Sequence, residues 1–539
     1  MPPSPFLLAP GRRAGGGDRS GRAPAMKPIR LMAGVLTVGV WTLASRVLGF
    51  ARDAAILALL GTGPLYEAYV VAFRLPNMFR RFFAEGAFNT AFVPMFSKKL
   101  EGGEGAEAFA REAFAGLAAV LLALTLLAQI AMPWLIYAMA SGFAGGEEFD
   151  LSVEFARIAF PYILFISLAA LLSGVLNATG RFAAAAAAPV LLNVLLIGAI
   201  AGAHLMGGDV ARALVWAIPV AGVAQLALVG WAAWRAGFAM RLQRPRLSPE
   251  LRRLLRIAGP AALAGGVVQV NLLVGQQVAS YFDRAVGWLY AADRLYQLPL
   301  GVVGIAIGIV LLPDLARRLR AGDDAGGREA FSRAGEIALA LTVPCAVALV
   351  LIPLPLVSVL FERGQATADD SAAIAVAVAI YGLGLPAFVL QKILQPLFFA
   401  REDTRTPFRY AVWAMIVNAV LAVGLAPLLG WIAAAIATTA AGWALAVMLA
   451  VGGRRLGPVA RFDDRFRGRV WRILAASAVM GVALLGFELL LGPALAMGGW
   501  RWLALLALVG GGAAVYLAAA QALGALRLAE VRATLRRGG

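Results

Sequence analysis

The segment WTLASRVLGFARDAAILALLG sets Ser45, Arg46, Arg52 and Asp53 into a stretch that is otherwise apolar enough to lie in a membrane. An ionised side chain at the centre of a membrane helix costs about 2.5 to 3.5 kcal/mol on insertion scales, so three in one helix call for a wet cavity or charged partners. The next apolar segment repeats the pattern. Glu67, Arg74, Asn77, Arg81 and Glu85 fall at intervals of 7, 3, 4 and 4, which on a continuous helix is a single stripe, the polar wall of a cavity. Arg80 lies about 120° off that stripe, and Pro76 is placed to kink the helix and shift its phase. A third run, YAADRLYQLP, puts Tyr290, Arg294 and Gln297 on one face, next to Asp293.

In these three segments the arginines Arg46, Arg52, Arg74, Arg80, Arg81 and Arg294 outnumber the acids Asp53, Glu67, Glu85, Asp293 and Asp314, the last of which stands at a span exit. Cationic groups are therefore left over for an anion. Guanidinium suits planar, two-point recognition of phosphate. The chain has only four lysines, so residue type says less than position. The bland reading is that arginines near span ends snorkel to lipid head groups and that Arg52 with Asp53 or Arg81 with Glu85 are structural pairs. Other chemistry is poorly supplied. His204 is the one histidine and Cys345 the one cysteine, inside the apolar run from Ala338 to Leu360. That rules out an intrachain disulfide and leaves no material for a zinc cluster or a Ser/His/Asp triad.

These residues need membrane-spanning elements to hold them. Of 539 residues, 61% are hydrophobic and 14% charged, with a mean hydropathy of +0.80. Apolar runs bounded by Gly, Pro and charge predict spans near 32–60, 65–97, 108–138, 153–178, 183–205, 211–235, 255–281, 285–313, 331–360, 371–399, 406–428, 430–452, 470–492 and 500–526. The fold class expected is an all-α polytopic membrane protein of about 14 transmembrane helices.

Alternate loops differ sharply in basic residues. One side carries the N-terminal tail, Lys98, Lys99 and Arg111, Arg181, the run Arg235 to Arg256, Arg317 to Arg333, Arg401 to Arg409, Arg454 to Arg472 and the C-terminal tail. The other carries only Arg212, Arg284, Arg363 and Arg501. Thirty-six cations against four, with eight more inside spans, predict that both termini are cytoplasmic. The net charge of +18 reports topology and needs no nucleic-acid partner.

Two stretches repeat with a shift of 225 residues. Pro161 and Asn193 correspond to Pro386 and Asn418, and FVPMFSKK at the exit of the second span is echoed by LLPDLARR at that of the eighth. This predicts two pseudo-symmetric six-helix lobes, 26–240 and 241–460, followed by two extra helices and a tail in 461–539. Substrate is then expected between the lobes near the midplane. Residues 1–25, rich in Pro, Gly and Arg, read as a disordered extension, and Met26 followed by Lys27 and Arg30 reads as a natural start.

The strings SRVLGFARDA, FRLPNMFRRFFAEGAFNTAFVP, FPYILFISLAALLSGVLNATGRF, YAADRLYQLPLGVVGIAIG and FFAREDTRTP closely resemble the motifs of the MurJ (MviN) family. Its members are bacterial lipid II flippases of the multidrug/oligosaccharidyl-lipid/polysaccharide exporter superfamily. The resemblance runs from about Met26 to the C-terminus. It implies 14 spans in the bacterial cytoplasmic (inner) membrane and transport, without bond chemistry, of the undecaprenyl-pyrophosphate-linked peptidoglycan precursor between leaflets. Its partners would be lipid II, membrane lipids and the cell-wall synthesis machinery. By motif position it assigns Ser45, Arg46, Arg52, Asp53, Arg74, Asn77, Arg80, Arg81, Glu85 and Arg294 to the family's cavity. Glu67 stands where relatives often carry aspartate. The last two spans would form a groove for the polyprenyl tail.

Some relatives bind sodium in the second lobe. Asn418 and Thr438 offer oxygen ligands here, but the seventh span has no carboxylate before Asp283 and Ala422 stands one turn after Asn418. A carboxylate-built sodium site is thereby disfavoured, and chloride near Arg52 is the ion the resemblance implies. Within transport, a multidrug exporter would present a net acidic cavity, whereas an O-antigen flippase would share the basic one and differ mainly in these motifs. A polytopic glycosyltransferase would need surface carboxylates; Glu147, Glu148, Asp150, Asp369 and Asp370 are available, but in short loops without a further cluster.

Overall fold

A computed structural model of the chain describes residues 28–80, 87–103, 105–240, 243–245 and 248–526. The extension 1–25, Arg81, Glu85 and the tail from 527 lie outside the described residues, as do the expectations attached to them. Among the described residues the regular structure is helical. The elements are α1 (Pro28–Leu60), α2 (Pro64–Arg80), α3 (Ala87–Gly102), α4 (Ala106–Met139), α5 (Glu147–Ala159), α6 (Tyr162–Ala178), α7 (Ala183–Leu205), α8 (Val210–Arg235) and α9 (Pro249–Ala279). They continue with α10 (Ala285–Arg320), α11 (Asp324–Leu351), α12 (Pro353–Phe361), α13 (Ala368–Phe399), α14 (Arg405–Leu429), α15 (Ile432–Gly453), α16 (Asp464–Ala496) and α17 (Arg501–Ala522). Ten segments among the described residues are long and apolar enough to cross a membrane. The chain is an all-α polytopic membrane protein.

The second expected span is described on either side of residues 81–86, as α2 and α3, so the stripe read across Arg81 and Glu85 is followed only as far as Arg80. Two other expected spans are not single helices. The fourth is interrupted between α5 and α6 at Pro161, which has no N–H to continue the ladder. The ninth breaks at Ile352, whose φ of −123° and ψ of 42° leave the helical region because Pro353 crowds the residue before it. Elsewhere prolines such as Pro76 and Pro386 remain inside their helices, as neighbouring helices permit in a membrane bundle.

Helices of the first half, α1, α2 and α4 to α8, pack largely on one another, and α10, α11 and α13 to α15 do the same. Between these sets, α9 packs on α14 and α15 and also on α3 and α4, tied there by Lys99 Nζ to Glu250 at 2.7 Å and by the Ser248 hydroxyl donating to Glu112 at 2.7 Å. At the centre lies α2, buried all round from Tyr66 to Phe73. A helix covered on every side must satisfy each polar group with protein.

The pair α16 and α17 leans on α11. Small residues allow the close approach: Gly481 meets Val347 and Leu351, and Gly512 meets Leu484. The Tyr516 hydroxyl donates to the Ala340 carbonyl at 2.6 Å. At the foot, Glu336 of α11 collects Arg333, Arg469 (3.0 Å) and Arg465 (3.7 Å). Away from α11 the pair is open and apolar, with Val482, Leu489, Leu490 and Leu506 each at least 70% exposed, a surface suited to hydrocarbon.

Candidate anion-binding site between the helix sets

Arg52, on the inner face of α1, is 7% exposed. Its Nε and Nη2 donate to Asp53 Oδ1 at 3.0 and 2.6 Å, and Nη1 donates to Asn193 Oδ1 of α7 at 2.8 Å. Asn193 returns its amide to the Ser45 carbonyl at 3.0 Å and its hydroxyl at 3.5 Å. One side chain thus fixes both the arginine and the helix turn that bears it. The guanidinium also lies over the ring of Phe73 at 5.7 Å.

The second oxygen of Asp53 faces the other helix set, 3.8 Å from Arg294 Nε on α10. Arg294 lies 4.3 Å over the Tyr290 ring, and Arg74 of α2 approaches the same ring at 5.8 Å. Asp293 sits 3.7 Å from Arg294 and accepts from Gln297. Arginines of α1, α2 and α10 therefore converge on one carboxylate and one aromatic ring. Arg294 Nε is buried with no hydrogen-bond partner, and so is Arg46 Nε.

Arg46 lies six residues before Arg52 on α1, roughly 9 Å away by helix rise. Its guanidinium rests against Gly301 of α10, where any side chain would collide with it. Asn77 donates to its own Phe73 carbonyl at 2.9 Å and accepts from Arg80 Nε at 3.3 Å. Arg80, placed off the stripe by helix angle, reaches back to it because its side chain is long enough to do so.

Glu67 is on the same helix but plays a different part from a cavity wall. It is 2% exposed, and its Oε1 accepts from the backbone N–H groups of Val286 and Gly287 at 2.9 and 3.3 Å. The carboxylate satisfies the open N-terminus of α10, where helix dipole and orphan N–H groups both favour it. This joins the two helix sets at one end of the molecule.

The rest of that end is sealed in the same way. Asp370, 1% exposed, closes the capping box of α13 with Thr367. It also accepts from Thr62 Oγ1 at 2.5 Å and Trp288 Nε1 at 3.0 Å and lies 3.7 Å from Arg284. Gln365 N donates to the Ala58 carbonyl at 2.8 Å; the neighbouring Gly364, at φ +58°, brings its α-carbon so close to Ala58 that a side chain has no room. Ser141 N and Gly142 N donate to Gln277 and Ser280 at 3.1 and 3.0 Å.

Asn193 and Asp370 had no place among the site residues expected from the sequence. Asn193 was visible as one half of the repeat with Asn418. Asp370 was legible only as a surface carboxylate, and its structural partners leave it no catalytic freedom. In the second set, Asn418 is buried on α14, while Thr438 of α15 donates its hydroxyl to the Ala434 carbonyl at 2.8 Å.

The family profile described as Lipid II flippase MurJ matches residues 56–510. The chain belongs to the MurJ family. A relative from Rhizobium tropici is 47% identical over 453 residues, covering 83% of this chain and 85% of its own. One from Rhizobium meliloti (strain 1021) is 45% identical over 515 residues, covering 93% and 96%. Both carry the name "Probable lipid II flippase MurJ". The fold is that of a solved structure titled "Lipid II flippase MurJ, inward closed conformation", with a TM-score of 0.75 at 22% identity over 90% of this chain and 98% of that one. A MurJ-family chain is a transporter and not an enzyme, and the arginines of α1, α2 and α10 are seen here in that setting.

Proposed function

We propose that this chain moves lipid II, an undecaprenyl-pyrophosphate-linked glycopeptide, from the inner to the outer leaflet of the cytoplasmic membrane by alternating access. The observation that carries the reading is the Arg52–Asp53–Arg294 network, which places cationic groups of both helix sets around a shared carboxylate and leaves the Nε groups of Arg294 and Arg46 without a hydrogen bond. Asp53 and Asp293 together do not neutralise the four arginines Arg46, Arg52, Arg74 and Arg294. A pyrophosphate entering between them completes the charge balance, strengthened by the low dielectric of the site.

The lobes of this scheme are 26–240 and 241–460, with 461–539 as an appendage whose apolar face takes the lipid tail. Both termini face the cytoplasm, as the loop charges require. The sealed end, with Glu67 and Asp370, then faces outward, and the head group enters from the cytoplasmic side. Without an anion, Arg46, Arg52 and Arg294 repel one another and oppose closure on the cytoplasmic side, which couples movement to loading. Arg80 and Arg74, with Asn77 and Gln297, add donors along the path. As for a resident ion, Asp53 and Asn193 take three of the five N–H donors of Arg52, so a chloride there would draw on the remaining two and on Arg294.

Purified protein in liposomes is expected to transfer labelled lipid II between leaflets with its mass unchanged. In cells depleted of their own flippase, Arg46→Ala, Arg52→Ala, Arg80→Ala and Arg294→Ala should each lose rescue while the protein remains in the membrane. Rescue by all four would end the reading.

A further inference from the structure

The face that carries the seal holds four loop arginines, and three different arrangements serve them. Arg212 pairs with Glu154 at 3.3 Å and Asp209 at 3.7 Å. Arg284 pairs with Asp283 at 3.8 Å and Asp370 at 3.7 Å. Among the described residues Arg363 and Arg501 together have one carboxylate, Glu362, which lies 3.8 Å from Arg501. The loops of this face otherwise carry acids in plenty, Glu147, Glu148 and Asp150 among them. Local positive excess is thus confined to the corner where α12 meets the start of α17.

The corner is built and oriented. Arg501 Nη2 donates to the Ser358 carbonyl at 2.9 Å and Arg363 Nη2 to the Val359 carbonyl at 2.5 Å, so both guanidiniums are held against the C-terminal turn of α12. Arg363 is stacked 4.1 Å over the Trp502 ring. Arg501 Nε is buried without a hydrogen-bond partner. Burial first, and the charge of Arg501 second, push the Arg363 guanidinium below its ordinary value, so the two cations act on each other. Beside them Trp500 is 62% and Leu503 57% exposed, an aromatic and apolar rim of the kind that sits at a membrane interface.

We infer that Arg363, Arg501 and Trp502 form a binding site for the phosphate of an anionic lipid, whose chains lie along the exposed apolar face of α16 and α17. Two guanidiniums supply the donors, Trp502 and its neighbours border the upper acyl chain, and Glu362 sets the affinity by competing with the phosphate for Arg501. The excess of charge stands on the contacts alone; only the placing of the site in the outer leaflet rests on the orientation proposed above. Bulk phospholipid and the exported polyprenyl pyrophosphate share the chemistry.

Native mass spectrometry of the full-length chain tests this, with dioleoyl-phosphatidylglycerol, undecaprenyl pyrophosphate, zwitterionic phosphatidylcholine and inorganic phosphate as separate probes. One or both anionic lipids should be retained above phosphatidylcholine, and which one identifies the source; inorganic phosphate, lacking chains, should not be retained. Arg363→Gln should weaken retention by about fivefold, the scale of one exposed ion pair, and Glu362→Gln should strengthen it. Arg212→Gln should leave it unchanged. Glu362→Gln keeps both guanidinium clamps on α12, so it reports even where arginine variants fold poorly. Equal retention of all lipids, or no gain in Glu362→Gln, overturns the inference, and neither result bears on transport of lipid II.

Discussion

Asp53 of α1 and Arg294 of α10 face each other across the two helix sets, 3.8 Å from carboxylate oxygen to guanidinium nitrogen, while the other oxygen of the same carboxylate holds Arg52. A single acid thereby links the arginines of both sides. Asp53→Asn keeps the shape and removes the charge, leaving the buried Arg52 opposed to the part-buried Arg294. The purified variant should melt at a lower temperature than the native protein, and added pyrophosphate lipid should recover more of the loss than it adds to native protein. An unchanged midpoint would show that the pair does not hold the sets together.

Asn193→Leu removes the amide that joins Arg52 to the Ser45 turn while roughly preserving volume. Leaving a buried guanidinium N–H unpaired costs about 1 to 3 kcal/mol. The variant should insert normally but fail in rescue of flippase-depleted cells, and Asn193→Asp, which keeps an acceptor for Arg52, should recover part of the activity.

Asp370→Asn weakens the acceptor shared by Thr62 and Trp288. With Cys345→Ser as background, a cysteine at Ala291, buried below the seal on α10, reports on opening. Its labelling by a membrane-impermeant maleimide from outside should rise about tenfold, as loss of one charged hydrogen bond implies. No rise would mean that the seal does not depend on Asp370.

Glu67→Gln retains an oxygen for the N–H groups of Val286 and Gly287 but loses the interaction of charge with the α10 dipole; Glu67→Ala loses both. The glutamine variant should reduce rescue less than the alanine variant, with a difference of about 1 kcal/mol in thermal stability. Equal effects would place the role of Glu67 elsewhere.

Glu336→Gln takes the shared acid from Arg333, Arg465 and Arg469. The three guanidiniums are part-exposed, so the cost is about 1 to 3 kcal/mol, below that of a fully buried pair. Limited proteolysis after Arg461 or Arg465 should accelerate as α16 loosens from α11.

The sequence by itself determined that this chain lies in a membrane, because apolar length and loop charge act locally and survive without knowledge of neighbours. It also picked out the helices that carry arginine within their spans, and for α7 the span 183–205 coincides with the helix. Helix period places a residue on a face of its own helix but cannot say which helix that face meets. Glu67 and Arg74 share a stripe, yet α10 presents backbone N–H groups to one and the Tyr290 ring to the other. Likewise Asp53, adjacent to Arg52 in the chain, reads as its private partner until α10 brings Arg294 to the second oxygen. The tertiary structure decided these pairings because the charge of a buried side chain is balanced by whatever lies within a few ångströms in space, and most of that comes from distant sequence.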